Sequence, residues 1–86
     1  MIDPVRLKRL RIRCWRRGTR EMDLLLGSYA DGPMADLGCS ELDAFEALLD
    51  ENDHDLYAWL SGAAAPDPRL RQALDRIAVH HGLELP

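Results

Sequence analysis

Helix stop and start signals cut this sequence at short intervals, so nothing in it can become one long helix. Asp3-Pro4 pairs a capping residue with the proline that suits a first helical turn. Gly18 can close a helix in the left-handed conformation, and Thr19 can cap the next one. Asp31-Gly32-Pro33, Asn52-Asp53-His54, Gly62, Asp67-Pro68 and Gly82 repeat this punctuation. Between the breaks, apolar residues recur at helical spacing. They are Leu7, Leu10 and Cys14; Met22, Leu25, Leu26 and Tyr29; Leu42, Phe45 and Leu49, with Leu48 alongside; Leu56, Tyr57, Trp59 and Leu60; then Leu70, Leu74, Ile77, Ala78 and His81. No stretch reads convincingly as a strand. The spacing predicts helices over roughly residues 4–17, 20–31, 40–51, 54–61 and 68–81, packed as a small all-α five-helix bundle in a single domain, residues 1–86. Residues 33–39 read as a loop. Ser40 with Asp43 approximates a capping box for the third helix, and Asp53 or Asp55 can cap the fourth. No internal repeat of the helical-hairpin kind, with its period of about 34 residues, can be aligned.

Size restricts function. A chain of 86 residues has a thin core, burying only about 60% of its unfolded surface, with little room for both a substrate cleft and a catalytic apparatus. No glycine-rich phosphate loop follows a strand, and no nucleophile elbow is present. His54, His80 and His81 lack the pairing of a helical metal site, and His80-His81 reads as a favourable contact with a helix C-terminus. The expectation is a non-enzyme with no catalytic and no metal-binding residues. Cys14 and Cys39 form neither a disulfide framework nor a zinc pattern, and read as reduced, structural thiols in a cytosol-like compartment. No apolar run reaches membrane-spanning length, and the start has no signal-peptide core. Its basic character superficially resembles a transit peptide, but the Asp3-Pro4 cap favours an ordinary helix.

Charge is distributed unevenly. The net charge is -4, yet Arg6, Lys8, Arg9, Arg11, Arg13, Arg16, Arg17 and Arg20 crowd the first segment. Acids then run from Glu21 to Asp55 with no Lys or Arg among them. Arg6, Arg9, Arg13, Arg16 and Arg17 share one side of the first helix, while Trp15 is either a core edge or an anchor for a partner. A basic stripe could contact nucleic acid, but the acidic bulk of the chain argues against it. The switch of charge falls in Arg16-Arg17-Gly18-Thr19-Arg20-Glu21-Met22-Asp23, at the junction of two helices. Arginine can hold a carboxylate or phosphate with two hydrogen bonds, and glycine allows a partner's backbone close. On residue chemistry alone the corner is either a contact surface or a closed junction with Arg17 paired to Glu21. Lying outside the apolar stripes, Arg17 and Glu21 are both expected at the surface, replaceable by Ala at little cost.

Arg17-Gly18-Thr19-Arg20-Glu21 resembles the RGxxE motif of the small helical proteins that assist flavin attachment to succinate dehydrogenase, the bacterial SdhE proteins and mitochondrial succinate dehydrogenase assembly factor 2. Lys8-Arg9-Leu10 before it, Glu21 to Gly27 after it, Leu48-Leu49-Asp50 and Asp55-Leu56-Tyr57-Ala58-Trp59-Leu60 carry the likeness from about Lys8 to Gly62. The resemblance implies a five-helix bundle and a chaperone that promotes covalent joining of FAD to a histidine of the flavoprotein subunit of succinate dehydrogenase, and often of fumarate reductase. It implies that FAD is the partner's cofactor, with none bound stably here. Arg17, Gly18 and Glu21 take the motif's partner-binding role by position, with Arg16, Arg20 and Asp23 beside them. A monomer when free is expected, without nucleic acid or membrane insertion, in the bacterial cytoplasm, or in the mitochondrial matrix for a processed eukaryotic form. The alternative is an antitoxin-like or regulatory interaction module, since some members of the family have been described that way.

Overall fold

Local capping chemistry builds five α-helices in the described part of the chain, residues 3–85 of a computed structural model: α1 Pro4–Trp15, α2 Arg20–Asp31, α3 Cys39–Leu49, α4 Asp53–Leu60 and α5 Arg71–His80. Met1, Ile2 and Pro86, which the expected domain and tail include, lie outside the described residues. Asp3 Oδ1 accepts from the Val5 N–H at 2.9 Å and Thr19 Oγ1 from the Met22 N–H at 3.3 Å, so α1 and α2 start as their sequences imply. α1 stops at Trp15, two residues short of expectation.

Two caps differ from expectation, and two short 3₁₀ turns appear that were not expected. α3 begins beyond Gly38, and the Glu41 carboxylate reaches back to accept the Gly38 N–H at 2.8 Å; Ser40 and Asp43 do not cap it. α4 is capped by Asn52, whose Oδ1 accepts the Asp55 N–H at 2.9 Å, because Asn52 is the residue with extended backbone and Asp53 is engaged elsewhere. Asp67-Pro68 opens a short 3₁₀ turn, Pro68–Leu70, before α5 proper. Residues 33–39 are not wholly irregular either: Pro33–Asp36 forms a 3₁₀ turn that buries Met34.

The predicted apolar stripes converge. Leu10 and Cys14 of α1, Met22, Leu26 and Tyr29 of α2, Leu42, Phe45, Leu48 and Leu49 of α3, Leu56 and Leu60 of α4, and Leu74 and Ile77 of α5 make one core with no charged or polar side chain buried in it, among the described residues. α5 lies centrally, touching α2, α3 and α4. Its closing end is tied across the fold by His81, whose Nε2 donates to the Leu25 carbonyl at 2.7 Å, so that histidine makes a tertiary contact rather than a helix-end one. The radius of gyration, 11.9 Å, is what a compact chain of this length should have, about 12 Å.

α1 and α2 form an antiparallel hairpin around the corner. Trp15 lies on Gly27, so closely that a Cβ there would sit 2.3 Å from the indole, and its Nε1 donates to Asp31 at 3.1 Å. Trp15 thus packs on α2 while keeping 38% of its surface exposed. α1 runs parallel to α3 in a fixed register: Arg6 meets Asp43 at 2.7 Å and Arg13 meets Asp50 at 3.0 Å, each 37 residues ahead. Arg6 also binds Glu46, and these acids hold its guanidinium pKa above the ordinary value. Much of the basic stripe is therefore neutralised within the fold.

Candidate functional site

The four residues between α1 and α2 make a tight turn that only glycine suits. Gly18 has φ +104°, a region where a side chain costs about 1–2 kcal/mol, yet nothing lies within 4 Å of where its Cβ would be. The requirement is conformational, and the space in front of Gly18 is open.

Arg17 turns inward, against expectation. Its side chain is only 11% exposed, and its acid is Asp53, at 2.6 Å, not Glu21. Nη1 donates to the Leu49 carbonyl at 2.6 Å and Nη2 to the Glu51 carbonyl at 2.8 Å. Leu49 is the last residue of α3, whose final carbonyls have no partner within the helix. One guanidinium thus caps α3, binds the first turn of α4 and locks both to the α1–α2 junction. It points inward because the planar fork matches three acceptors that converge where the chain turns from α3 into α4. Asp23 is also structural in position: its carboxylate accepts the Arg17 N–H at 2.7 Å.

The other motif residues face outward. Arg16, Gly18, Arg20 and Glu21 are exposed, and among the described residues the side chains of Arg16, Arg20 and Glu21 make no ion pair or hydrogen bond. The corner therefore divides into a holding pair, Arg17 and Asp23, and a presented set.

Two shallow depressions flank the Arg17–Asp53 pair. One, of about 430 Å³, is bounded by Ile12, Arg16 and Asn52; the other, of about 400 Å³, by Thr19, Glu21, Met22, His54 and Tyr57. Ile12, Asp53, His54 and Tyr57 escaped the sequence reading as site residues. Tyr57 reads in the sequence with the apolar residues of α4, but it lies off the Leu56–Leu60 face and is 45% exposed. For Asp53, 36 residues from Arg17, no local pattern announces the pairing.

Cys14, buried beneath the corner, is pushed up to about 12 by desolvation and is no nucleophile; Cys39 is exposed and unpaired. Among the described residues no cluster of His, Cys, Asp or Glu could hold a metal ion. No strand leads through a glycine-rich turn into a helix there, the arrangement that cradles a dinucleotide. No helix is long and apolar enough to cross a membrane, again among the described residues.

Fold and corner together define a small all-helical domain that presents an unpaired charged turn. Residues 8–81 match the family described as flavinator of succinate dehydrogenase, and the chain belongs to that family. It is 41% identical over 76 residues to the FAD assembly factor SdhE of Legionella pneumophila (strain Paris), covering 88% of this chain and 95% of that one. The SdhE of Coxiella burnetii is 37% identical over 67 residues, 78% of this chain and 80% of that one. The mitochondrial succinate dehydrogenase assembly factor 2 of Mycosarcoma maydis is 43% identical over 54 residues, 63% of this chain and 23% of that longer protein. No solved structure matches the chain significantly.

Proposed function

We propose that this chain is an FAD assembly factor: it docks on the flavoprotein subunit of succinate dehydrogenase and promotes covalent attachment of FAD to a histidine of that subunit. Membership of the flavinator family and the names of its relatives support the reaction. The observation that carries the site is the presented set: Arg16, Arg20 and Glu21, exposed and unpaired around the left-handed Gly18. Charged side chains without an internal partner suit binding across an interface, because no internal ion pair has to be broken to use them and the turn's backbone is already fixed, so only the side chains themselves have to be ordered.

In this reading the chain is a chaperone, not an enzyme, and acts as a monomer. The bond joins the partner's histidine to the partner's FAD, and this chain supplies positioning. Arg17 and Asp23 hold the turn; Gly18 lets the partner's backbone approach; Glu21, Arg16 and Arg20 fix orientation. A docked corner would keep histidine and flavin in near-attack geometry and exclude water, and Arg16 or Arg20 could stabilise charge developing at the ring. Fumarate reductase, whose flavoprotein subunit presents the same task, is a second client. The site of action is the compartment where these subunits acquire flavin, the cytoplasm of a bacterium or the matrix of a mitochondrion.

The test is a strain lacking the gene. Its succinate dehydrogenase flavoprotein subunit should lose denaturation-resistant flavin fluorescence, restored by the parent chain and less by Glu21→Ala at equal abundance. Unchanged covalent flavin in both succinate dehydrogenase and fumarate reductase would sink the reading.

A further inference from the structure

The cations of α1 fall into sides with different fates. At 100° per residue, Leu7, Leu10 and Cys14 point into the core. Arg6 and Arg13 point a quarter-turn away, onto the acids of α3. Arg11 points the other way, toward Asp31 of α2 at 3.5 Å. Opposite the core lie Val5, Lys8, Arg9, Ile12 and, at the C-cap, Arg16, all exposed. None of the side chains of Lys8, Arg9 and Arg16 has a hydrogen bond or an ion pair among the described residues. A chain with 15 acids has left these cations without one.

We propose that this outer face of α1 is a second docking surface, continuous with the corner through Arg16, and that its occupant is an acidic, partly apolar face of the flavoprotein subunit. The inference rests on the function proposed above and extends its contact area. Two observations favour a protein occupant. First, α1 already shows what an arginine pair seven residues apart takes: Arg6 and Arg13 hold Asp43, Glu46 and Asp50 of a parallel helix. Arg9 and Arg16 repeat that spacing, about 10 Å along the axis, and so match carboxylates spaced like those of α3. Second, Val5 and Ile12, 61% and 44% exposed, alternate with the cations at the same spacing. A phosphate backbone has no use for two aliphatic side chains, whereas an interface core does. Ile12 and Arg16 also border the depression of about 430 Å³ beside Asp53, which would receive a projecting side chain.

The experiment measures binding of the full chain to the purified flavoprotein subunit at low and high salt. Lys8→Glu/Arg9→Glu lies outside the corner, Ile12→Ser lies on its border, and circular dichroism establishes that both variants are folded. The charge-reversed variant should bind at least tenfold more weakly at low salt, mainly through slower association, with the gap closing as salt rises. Ile12→Ser should weaken binding severalfold at any salt. If both variants bind like the parent while Glu21→Ala binds weakly, docking is confined to the corner and this proposal alone falls. If the parent itself does not bind the subunit, both readings fall. Tighter binding of the parent to a 20-base-pair duplex than to the subunit would overturn the proposal in favour of a nucleic-acid surface.

Discussion

Two helix–helix junctions of this molecule carry a left-handed glycine with open space before it: Gly18, which lies two residues beyond the Arg16 C-cap of α1 and so does not itself close that helix, and Gly62, directly after the Ser61 C-cap of α4. Their surroundings differ. After Gly62 comes Ala63-Ala64-Ala65, and the nearby charges satisfy each other: Arg69 binds Asp67 at 2.8 Å, and that arginine holds the Asp67 carboxyl below its usual range. Around Gly18 the single inward arginine ties three segments together, while Arg16, Arg20 and Glu21 stand without partners. The Gly62 junction is a connector that completes its own bonding. The Gly18 corner is held at its base and leaves charges unpaired at its tip, the arrangement that the proposed docking requires.

The comparison is broken most severely at Arg17. Arg17→Ala strips donors from the Leu49 and Glu51 carbonyls and leaves Asp53 without its cation in a mostly shielded site. The expected loss is about 2–4 kcal/mol by urea titration, and Arg17→Lys should recover only part, since an ammonium cannot match the fork. Arg69→Ala at the other junction should leave the melting temperature unchanged. Equal, negligible effects would show that Arg17 holds nothing. It also follows that lost flavinylation in Arg17→Ala does not by itself identify a docking residue, because an unstable chain loses abundance.

The helices and core were legible because every stripe and most caps use neighbours within four residues. Leu10, Leu26, Phe45, Leu56 and Ile77 are buried as their spacing demands. What the sequence concealed is long-range. Position outside the apolar stripes placed Arg17 on the surface, but a guanidinium can be shielded at a helix end when carbonyls and a carboxylate gather there. Gly27 was equally silent, since a glycine inside a helical pattern does not say which side chain lies on it. Glu41 replaced Ser40 as the source of the α3 cap because a long carboxylate reaches back a full turn. The corner itself was visible in the resemblance and the charge switch, without its division into holding and presented residues.

Three glycine substitutions sharpen the contrast between geometry and contact. Gly27→Ala should cost about 1–3 kcal/mol, because a methyl group 2.3 Å from the Trp15 ring must push the indole off α2. Trp15 fluorescence should shift to longer wavelength as the ring gains water; an unshifted spectrum with parent stability would count against the packing described. Gly18→Ala and Gly62→Ala meet no atom, so each should cost only the backbone term, about 1–2 kcal/mol. Stability therefore should not separate these two glycines, and binding should. Gly18→Arg is expected to fold and yet fail to bind the flavoprotein subunit, while Gly62→Arg binds as the parent does. Equal binding by both variants would remove the distinction between the junctions.

The smallest effect on stability belongs to Glu21, and it is the most informative. Glu21 sits in the first turn of α2, where a carboxylate favours the positive end of the helix dipole, but its side chain has no hydrogen-bond or ion-pair partner. Removing an exposed, unpaired charge usually changes stability by less than about 0.5 kcal/mol. Glu21→Ala should therefore melt with the parent and accumulate to the same level. Covalent flavin on the partner subunit should nevertheless fall severalfold, and Glu21→Gln should retain part of it if the partner donates a neutral hydrogen bond and little if it presents a cation. A stable, abundant Glu21→Ala that restores full covalent flavin would mean that the tip of the corner is incidental. The unpaired charges would then be ordinary solvated residues, and the two glycine junctions would be alike.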